Sequence, residues 1–428
     1  MISVWGQSII KGGQFKMEIK RDYYLNKLIS VKHTNLIKII TGIRRCGKSY
    51  LLNNLFYNHL ISEGVPKNHI IKVALDSIEN KHLREPLSLY NYIKEKLTDD
   101  NYYYIILDEI QLVTDFAEVL NSFLQSQNVD IYVTGSNSKF LSSDIITEFR
   151  GRGYGIKMYP LSFSEFMTSY NGSLANGWKE YYAYGGLPAI TQFSNMEDKT
   201  NYLSEQKENV YINDVLERNH IKNDEELRIL VEIISSSIGS LSNPTKLADT
   251  FKSTRNIKIE CKTVNAYLKY LEEAFIIEKA KKYDIKGKKY ISTPSKYYFT
   301  DTGLRNVFVN YRQHDEGHIM ENIIYIELRK RGYNVDVGMV ETRSNNEYKQ
   351  LEVDFIANKG NNKYYIQSSL SLANEQVAKR EKKSLMKIHD SFKKFVIVRD
   401  DITPYRDDYG IITMGIFDFL LDPDSLSF

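Results

Sequence analysis

The chain has 428 residues, enough for two or three domains at about 150 residues each. At 42% hydrophobic and 26% charged it has ordinary globular composition, which excludes wholesale disorder. Two cysteines, Cys46 and Cys261, exclude a disulfide framework, eight scattered histidines make no zinc pattern, and a net charge of +3 confines any electrostatic argument to local patches.

The first 16 residues lack the apolar run of a signal peptide, and Met17 offers an alternative start because a coherent pattern begins just after it. No apolar stretch approaches the roughly 20 residues that span a bilayer, so a cytoplasmic protein without a membrane partner is expected. Leu36-Ile37-Lys38-Ile39-Ile40 reads as a strand ending in a glycine turn. Behind it Leu51, Leu52, Leu55, Phe56 and Leu60 recur at helical spacing. His69–Leu75, Tyr103–Leu107 and Asp130–Thr134 read as further strands, and Ile156–Tyr159 as a fifth. Phe116, Val119, Leu120, Phe123 and Leu124 form a helical stripe. Short apolar strands alternating with amphipathic helices predict an α/β domain whose parallel sheet is covered on both faces.

From about Tyr159 the texture becomes helical, with a Tyr-rich stretch broken by Gly185-Gly186-Leu187-Pro188. Helices are expected over Glu205–Glu217, Glu225–Ile238, Thr245–Phe251 and Lys262–Ala274. Past Ile276 the chain alternates as a hairpin up to Tyr297-Tyr298-Phe299. A helix over Met320–Arg331 and strands at Leu351–Ala357, Lys363–Ser368 and Phe395–Val398 follow.

Gly42-Ile43-Arg44-Arg45-Cys46-Gly47-Lys48-Ser49 matches the phosphate-binding pattern G-x-x-x-x-G-K-[ST] completely, between an apolar strand and an amphipathic helix, and these residues with Tyr50 are the candidate nucleotide-binding segment. Its glycines let the loop wrap with N–H groups pointing inward, toward phosphates at the positive end of the next helix. Lys48 is placed to bridge the β- and γ-phosphates of ATP, and the Ser49 hydroxyl to ligate Mg²⁺. The acidic half of such a site belongs at the tip of a later strand. Tyr104-Ile105-Ile106-Leu107-Asp108-Glu109 supplies it, with Asp108 expected on the Mg²⁺ side and Glu109 polarising the attacking water. Ser136 or Asn137, after the next strand, stands near the γ-phosphate to position water. Arg150 and Arg152 offer an electrostatic finger, supplied in cis or by a neighbouring subunit, with Arg152 preferred.

Taken together, Arg21-Asp22-Tyr23-Tyr24-Leu25, the phosphate loop, Leu-Asp-Glu-Ile-Gln, Val-Thr-Gly-Ser-Asn-Ser, Pro-Leu-Ser-Phe-Ser-Glu-Phe and Gly-Gly-Leu-Pro resemble a prokaryotic family of AAA-type P-loop ATPases. Tyr298-Phe299-Thr300-Asp301-Thr302-Gly303-Leu304 and Met320-Glu321-Asn322 extend the resemblance to nearly the whole chain. It implies a P-loop NTPase core over residues 17–168, a helical lid over 169–222, a winged helix over 223–305 and a PD-(D/E)xK nuclease-like domain over 306–428. It also implies ATP and Mg²⁺ as cofactors and a homo-oligomer.

The helix-turn-helix around Asn243–Ala274 and the hairpin after it fit a DNA reader. Seven lysines (279, 281, 282, 286, 288, 289 and 296) against Glu278 and Asp284 give the hairpin a local +5. Lys282, Lys286, Lys288 and Lys289 are the candidate contacts to duplex DNA; the alternative is a solvated face. In the tail, Glu321, Asp354 and Gln367 fit a nuclease-like divalent-metal site in order and spacing, but the expected lysine is replaced by Ser369. Weak nuclease activity or none is therefore expected. Three functions compete: a Mg²⁺-dependent ATPase driving the C-terminal modules, which is preferred; an ATP-gated nuclease; and a nucleotide-switched protein scaffold without nucleic acid.

Overall fold

Four of the five expected N-terminal strands lie within a residue or two of their sequence positions. In the computed structural model, which describes residues 19–136, 149, 151–313, 315–344 and 347–427, they are β1 (Ile37–Thr41), β2 (Ile70–Ala74), β3 (Tyr103–Asp108) and β4 (Val129–Gly135). β5 (Gly153–Lys157) starts earlier than the apolar pattern indicates, because parallel pairing with β1 sets Gly153 opposite Ile37. The sheet runs β2-β3-β4-β1-β5, and every pair is parallel. Met17 and the residues before it lie outside the described residues.

The strands alternate with helices α1 (Asp22–Ser30), α2 (residues 48–62, π-helical over Leu51–Phe56), α3 (Pro86–Lys96) and α4 (Phe116–Phe123). A period of two divides the sheet's side chains between its faces. Ile37, Ile39, Ile105, Leu107, Ile131 and Val133 share one core with Leu89 and Ile93 of α3 and Leu120 and Phe123 of α4. Of the intervening positions, Tyr132 lies 4.5 Å from Phe56 of α2, and Lys38 and Asp130 form a buried ion pair. Asp130 also accepts from the Tyr132 hydroxyl at 2.8 Å, and burial lowers the Lys38 pKa. α3 escapes sequence reading because it buries only Leu89 and Ile93; Glu85 caps it through Ser88 N–H.

The chain divides into two units, Met1–Trp178 and Lys179–Phe428. The first also holds α5 (Phe163–Met167), begun by a capping box of Ser162 and Glu165, and α6 (Leu174–Tyr184) crosses the division. In the second, a helical run over residues 196–218 (α7) precedes α8 (Asp224–Ser236), α9 (Pro244–Arg255) and α10 (Cys261–Glu273).

Next comes the hairpin of β6 (Ile277–Asp284) and β7 (Lys289–Phe299), and here the structure corrects the sequence reading. The hairpin is no projecting wing. β6 pairs in parallel with β8 (Asn334–Ser344) through Lys282–Asp284 and residues 337–339, which makes β7 and β6 one margin of an eight-stranded sheet. A boundary at 305/306 would cut this sheet, because β6 and β7 share it with the strands of the tail. α11 (Thr302–Phe308) and α12 (Glu316–Lys330) precede β8. β8, β9 (Glu347–Lys359) and β10 (Asn362–Ser369) form an antiparallel meander. α13 (Glu375–Met386) then carries the chain to β11 (Lys393–Val398), parallel to β10. β12 (Tyr405–Arg406) and β13 (Ile411–Gly415) complete the sheet.

Asp301 explains two of the glycine-rich segments. Its carboxylate caps α11 through Leu304 N–H at 3.0 Å and accepts Gly186 N–H at 2.7 Å. A Cβ on Gly303 would lie 2.1 Å from the Tyr184 carbonyl oxygen. Burial raises the Asp301 pKa to about 6 against the pull of these N–H groups. Among the described residues, no helix is long and apolar enough to cross a membrane.

Candidate functional site

The phosphate loop joins the C-terminal end of β1 to α2. Gly42 has φ +151°, and a Cβ there would lie 2.1 Å from the Met158 carbonyl oxygen. Gly47 has φ +102° and the non-glycine Arg45 φ +65°. Ile43 and Cys46 are buried beneath the loop, whereas Arg44, Arg45, Ser49 and Tyr50 are exposed along it. Lys48, nearly buried, turns back over the loop and donates to the Gly42 and Ile43 carbonyls at 3.0 and 3.1 Å. Those carbonyl bonds hold the ammonium over the loop.

β3 and β4 bring the acidic half alongside. The Ser49 hydroxyl hydrogen-bonds Asp108, which also accepts from the Thr134 hydroxyl on β4. Burial raises the Asp108 pKa against both hydroxyls, which leaves a carboxylate that gains by meeting a cation. Glu109 sits in the left-handed region at φ +54°, its N–H donating to the Thr134 hydroxyl at 2.9 Å. The Gln111 amide donates to the Glu109 carboxylate and lies 3.4 Å from the buried Ser136 hydroxyl. Lys48, Ser49, Asp108, Glu109 and Ser136 thus meet at one end of the sheet. Asn137 and Arg150 lie outside the described residues. Ser49 and Asp108 offer two oxygens for Mg²⁺, the kind of partial protein shell this ion takes beside substrate phosphates.

Arg152 is not part of that gathering. It is exposed, and its carbonyl accepts Ile37 N–H at 2.8 Å, at the start of β1. Four residues of strand, about 13 Å, separate Ile37 from the loop end of β1. Arg152 therefore stands at the opposite end of β1 from the chain's own phosphate loop.

Sequence reading missed Arg21, Thr134 and Gln111. Arg21, 2% exposed, pairs with Glu165 (Nε–Oε1 3.1 Å) and donates to the carbonyls of Cys46 in the loop (3.0 Å) and Tyr159 (2.6 Å). The Tyr24 hydroxyl accepts Tyr159 N–H at 3.0 Å. The N-terminal helix thereby fixes the back of the loop to the capping box of α5. The sequence signal was the run Arg21-Asp22-Tyr23-Tyr24-Leu25 within the family resemblance, which gave Arg21 no role.

The unit Lys179–Phe428 has its own cleft of about 880 Å³, lined by Glu321, Glu352, Asp354, Gln367 and Ser369 among others. The predicted acidic residues do converge there. Lys296 stands among them, with Nζ 2.9 Å from Glu321 Oε1 and 2.7 Å from Glu352 Oε1. Burial favours a neutral Glu321, but Lys296, His318 and the Tyr298 hydroxyl outweigh it and hold the carboxyl below its ordinary range. Burial, with Glu321 beside it, pushes Asp354 up to about 8. Among the described residues no three His, Cys, Asp or Glu side chains converge as a preformed metal site.

Of the seven lysines counted on the hairpin, Lys296 is buried. Lys282 donates to Gln350 at 3.2 Å and Lys286 to the Glu341 carbonyl at 2.6 Å. Lys286, Lys288 and Lys289 remain exposed around the hairpin turn.

Comparison with known proteins agrees with the first unit. Residues 34–167 match an AAA domain, and residues 175–315 and 316–417 match two domains of unknown function. An uncharacterized protein of Haemophilus influenzae is 33% identical over 412 residues, covering 95% of this chain and 99% of its own. The chain belongs to that protein's family. The uncharacterized protein MJ1544 of Methanocaldococcus jannaschii is 30% identical over 385 residues, 86% of this chain and 82% of the relative. A solved structure of the Aeropyrum pernix ORC1 protein in complex with DNA is 12% identical, covers 68% of this chain and 92% of that one, and has a TM-score of 0.31. That likeness is too distant to carry function. Family membership with an AAA domain makes the first unit an AAA-type P-loop module.

Proposed function

We propose that the first unit binds MgATP and hydrolyses it. The observation that carries this reading is the meeting of Lys48, Ser49, Asp108 and Glu109 at one end of the sheet, with the Ser49 hydroxyl on Asp108. Mg²⁺, held by Ser49 and through water by Asp108, would neutralise charge on the phosphates. Lys48 exchanges its two loop carbonyls for β- and γ-phosphate oxygens. Glu109 leaves the Gln111 amide to accept a proton from the attacking water, with Ser136 beside it. Arg152 reaches the γ-phosphate of a neighbouring copy, so the active form is a homo-oligomer.

ATP turnover with Mg²⁺ that is lost with EDTA and in Lys48→Ala is the expected result. Turnover retained in Lys48→Ala removes the loop from its role.

The second unit is read as the greater part of the lid expected over residues 169–222, a helix-turn-helix whose hairpin joins the larger sheet, and a nuclease-like scaffold that associates with DNA under control of the nucleotide state. The helix α12, the β8–β10 meander, α13 and the parallel β11 support the scaffold, as does the meeting of Glu321, Asp354 and Gln367 in one cleft. Lys286, Lys288 and Lys289 support the DNA contact. Salt-sensitive binding of duplex DNA, weakened in a Lys286→Ala/Lys288→Ala/Lys289→Ala variant, is the test; no binding at low salt favours the protein scaffold.

A further inference from the structure

The nuclease-like pattern ends at Ser369, where a neutral hydroxyl stands in place of a lysine, yet the cleft does not lack an ammonium. Lys296 reaches it from β7, a strand that sequence reading assigned to a solvent-facing hairpin. It is 3% exposed, whereas Lys288 and Lys289 of the same hairpin face solvent. An ammonium has three N–H donors. Glu321 and Glu352 engage two, and among the described residues no further partner takes the third. Asp354, 7% exposed, accepts Ser368 N–H at 2.8 Å on one oxygen, while its other accepts no hydrogen bond among the described residues. The cleft therefore presents a donor and an acceptor that no side chain among the described residues takes up. A purely structural ion pair closes on itself, because burying charge is costly unless every group is satisfied. This one opens onto about 880 Å³, with the cationic side chains of Lys246 and Arg380 on its walls.

We propose that Lys296 supplies the fixed cation missing at Ser369, and that this cleft hydrolyses phosphodiester bonds of DNA. The inference rests on the nuclease-like reading of the second unit. Asp354 and Gln367 offer oxygens for one divalent ion, and a phosphate oxygen and water complete a shell that protein alone does not preform. That ion, when bound, supplies Lewis-acid charge on the phosphate. Lys296 donates its third N–H to a non-bridging phosphate oxygen as negative charge grows there. Glu321 and Glu352 hold the ammonium in place. Water adds to phosphorus and one P–O ester bond breaks. One proton of the water ends on the released hydroxyl and the other in solvent.

The test uses the full chain on supercoiled plasmid with Mg²⁺ or Mn²⁺, as wild type, Lys296→Met, Asp354→Asn and Lys296→Met/Ser369→Lys. Binding of a fluorescent duplex in Ca²⁺ against EDTA is followed by anisotropy. The expected result is nicking by wild type and a loss on the order of 10²-fold in both single variants. Ser369→Lys should restore at least a tenth of the activity to Lys296→Met, and Ca²⁺-stimulated DNA binding should weaken in Asp354→Asn and Lys296→Met. Nicking that survives Lys296→Met but not Asp354→Asn overturns the role of Lys296 and leaves the nuclease-like reading standing. Loss in Lys296→Met together with a collapsed thermal transition and no rescue makes the lysine a structural brace and also overturns the proposal. No nicking by wild type, or nicking indifferent to Asp354→Asn, overturns both.

Discussion

Replacing Arg21 by Met should damage both the stability of the first unit and its grip on nucleotide. The guanidinium is 2% exposed and holds three groups at once: the Glu165 carboxylate and the carbonyls of Cys46 and Tyr159. Methionine fills much of the volume but removes one donor from each carbonyl and from the buried carboxylate. Removing one partner of a buried pair costs about 3–5 kcal/mol. For a unit of this size 1 kcal/mol moves the midpoint by about 2–4 °C, so a fall of roughly 6–20 °C is expected. Glu165→Gln keeps an acceptor for the Ser162 cap and should lose less, about 1.5–3 kcal/mol. Because the Cys46 carbonyl belongs to the phosphate loop, ATP affinity in Arg21→Met should also drop at least tenfold. Thermal unfolding with and without MgATP, together with ATP titration, measures both effects. A midpoint shift under 2 °C with parental ATP affinity would refute the argument that this arginine fastens the loop.

Gly42→Ala should weaken ATP binding more than tenfold, since the added carbon meets the Met158 carbonyl at 2.1 Å; an unchanged Kd in a titration contradicts this. Asp301 should titrate near pH 6 in carboxyl-resolved NMR. With its folded pKa raised from 3.8, the folded state holds more protons than the unfolded state between those values. The second unit therefore loses up to about 3 kcal/mol from this group as pH rises from below 4 to above 6, and a midpoint near 3.8 refutes the burial argument. Arg152→Ala and Lys48→Ala should each lack ATPase activity, and mixing them should restore part of it, because one supplies the finger and the other an intact loop. No recovery in a demonstrated mixed oligomer removes Arg152 from catalysis.

The first unit was legible where its information is local. The phosphate loop is eight consecutive residues whose glycines meet a backbone requirement, and Asp108-Glu109 closes an apolar strand that nothing but a parallel sheet accommodates. Arg21 was not legible in role, because its partners lie 25, 138 and 144 residues away. Whether Arg152 faces its own loop was not legible, because nearness in sequence to β5 does not tell which end of the sheet a residue occupies, and only the register with Ile37 does. Lys296 was hidden among seven lysines. Its inward turn depends on β6 joining β8, a pairing between strands more than fifty residues apart. β8 itself was missed, since Asn334, Asp336 and Gly338 interrupt its apolar pattern.

The proposed hydrolysis turns on Glu109 as the base that activates water beside bound MgATP. Equilibrium ATP binding and single-turnover hydrolysis, measured on Glu109→Gln beside the parent protein, test it without interference from product release. The amide keeps the shape of the side chain and loses the proton-accepting oxygen. ATP affinity within about threefold of the parent, with hydrolysis slowed by about 10²–10⁴, is the predicted result. Parental hydrolysis by Glu109→Gln, or failure of the parent to bind ATP at all, would contradict it.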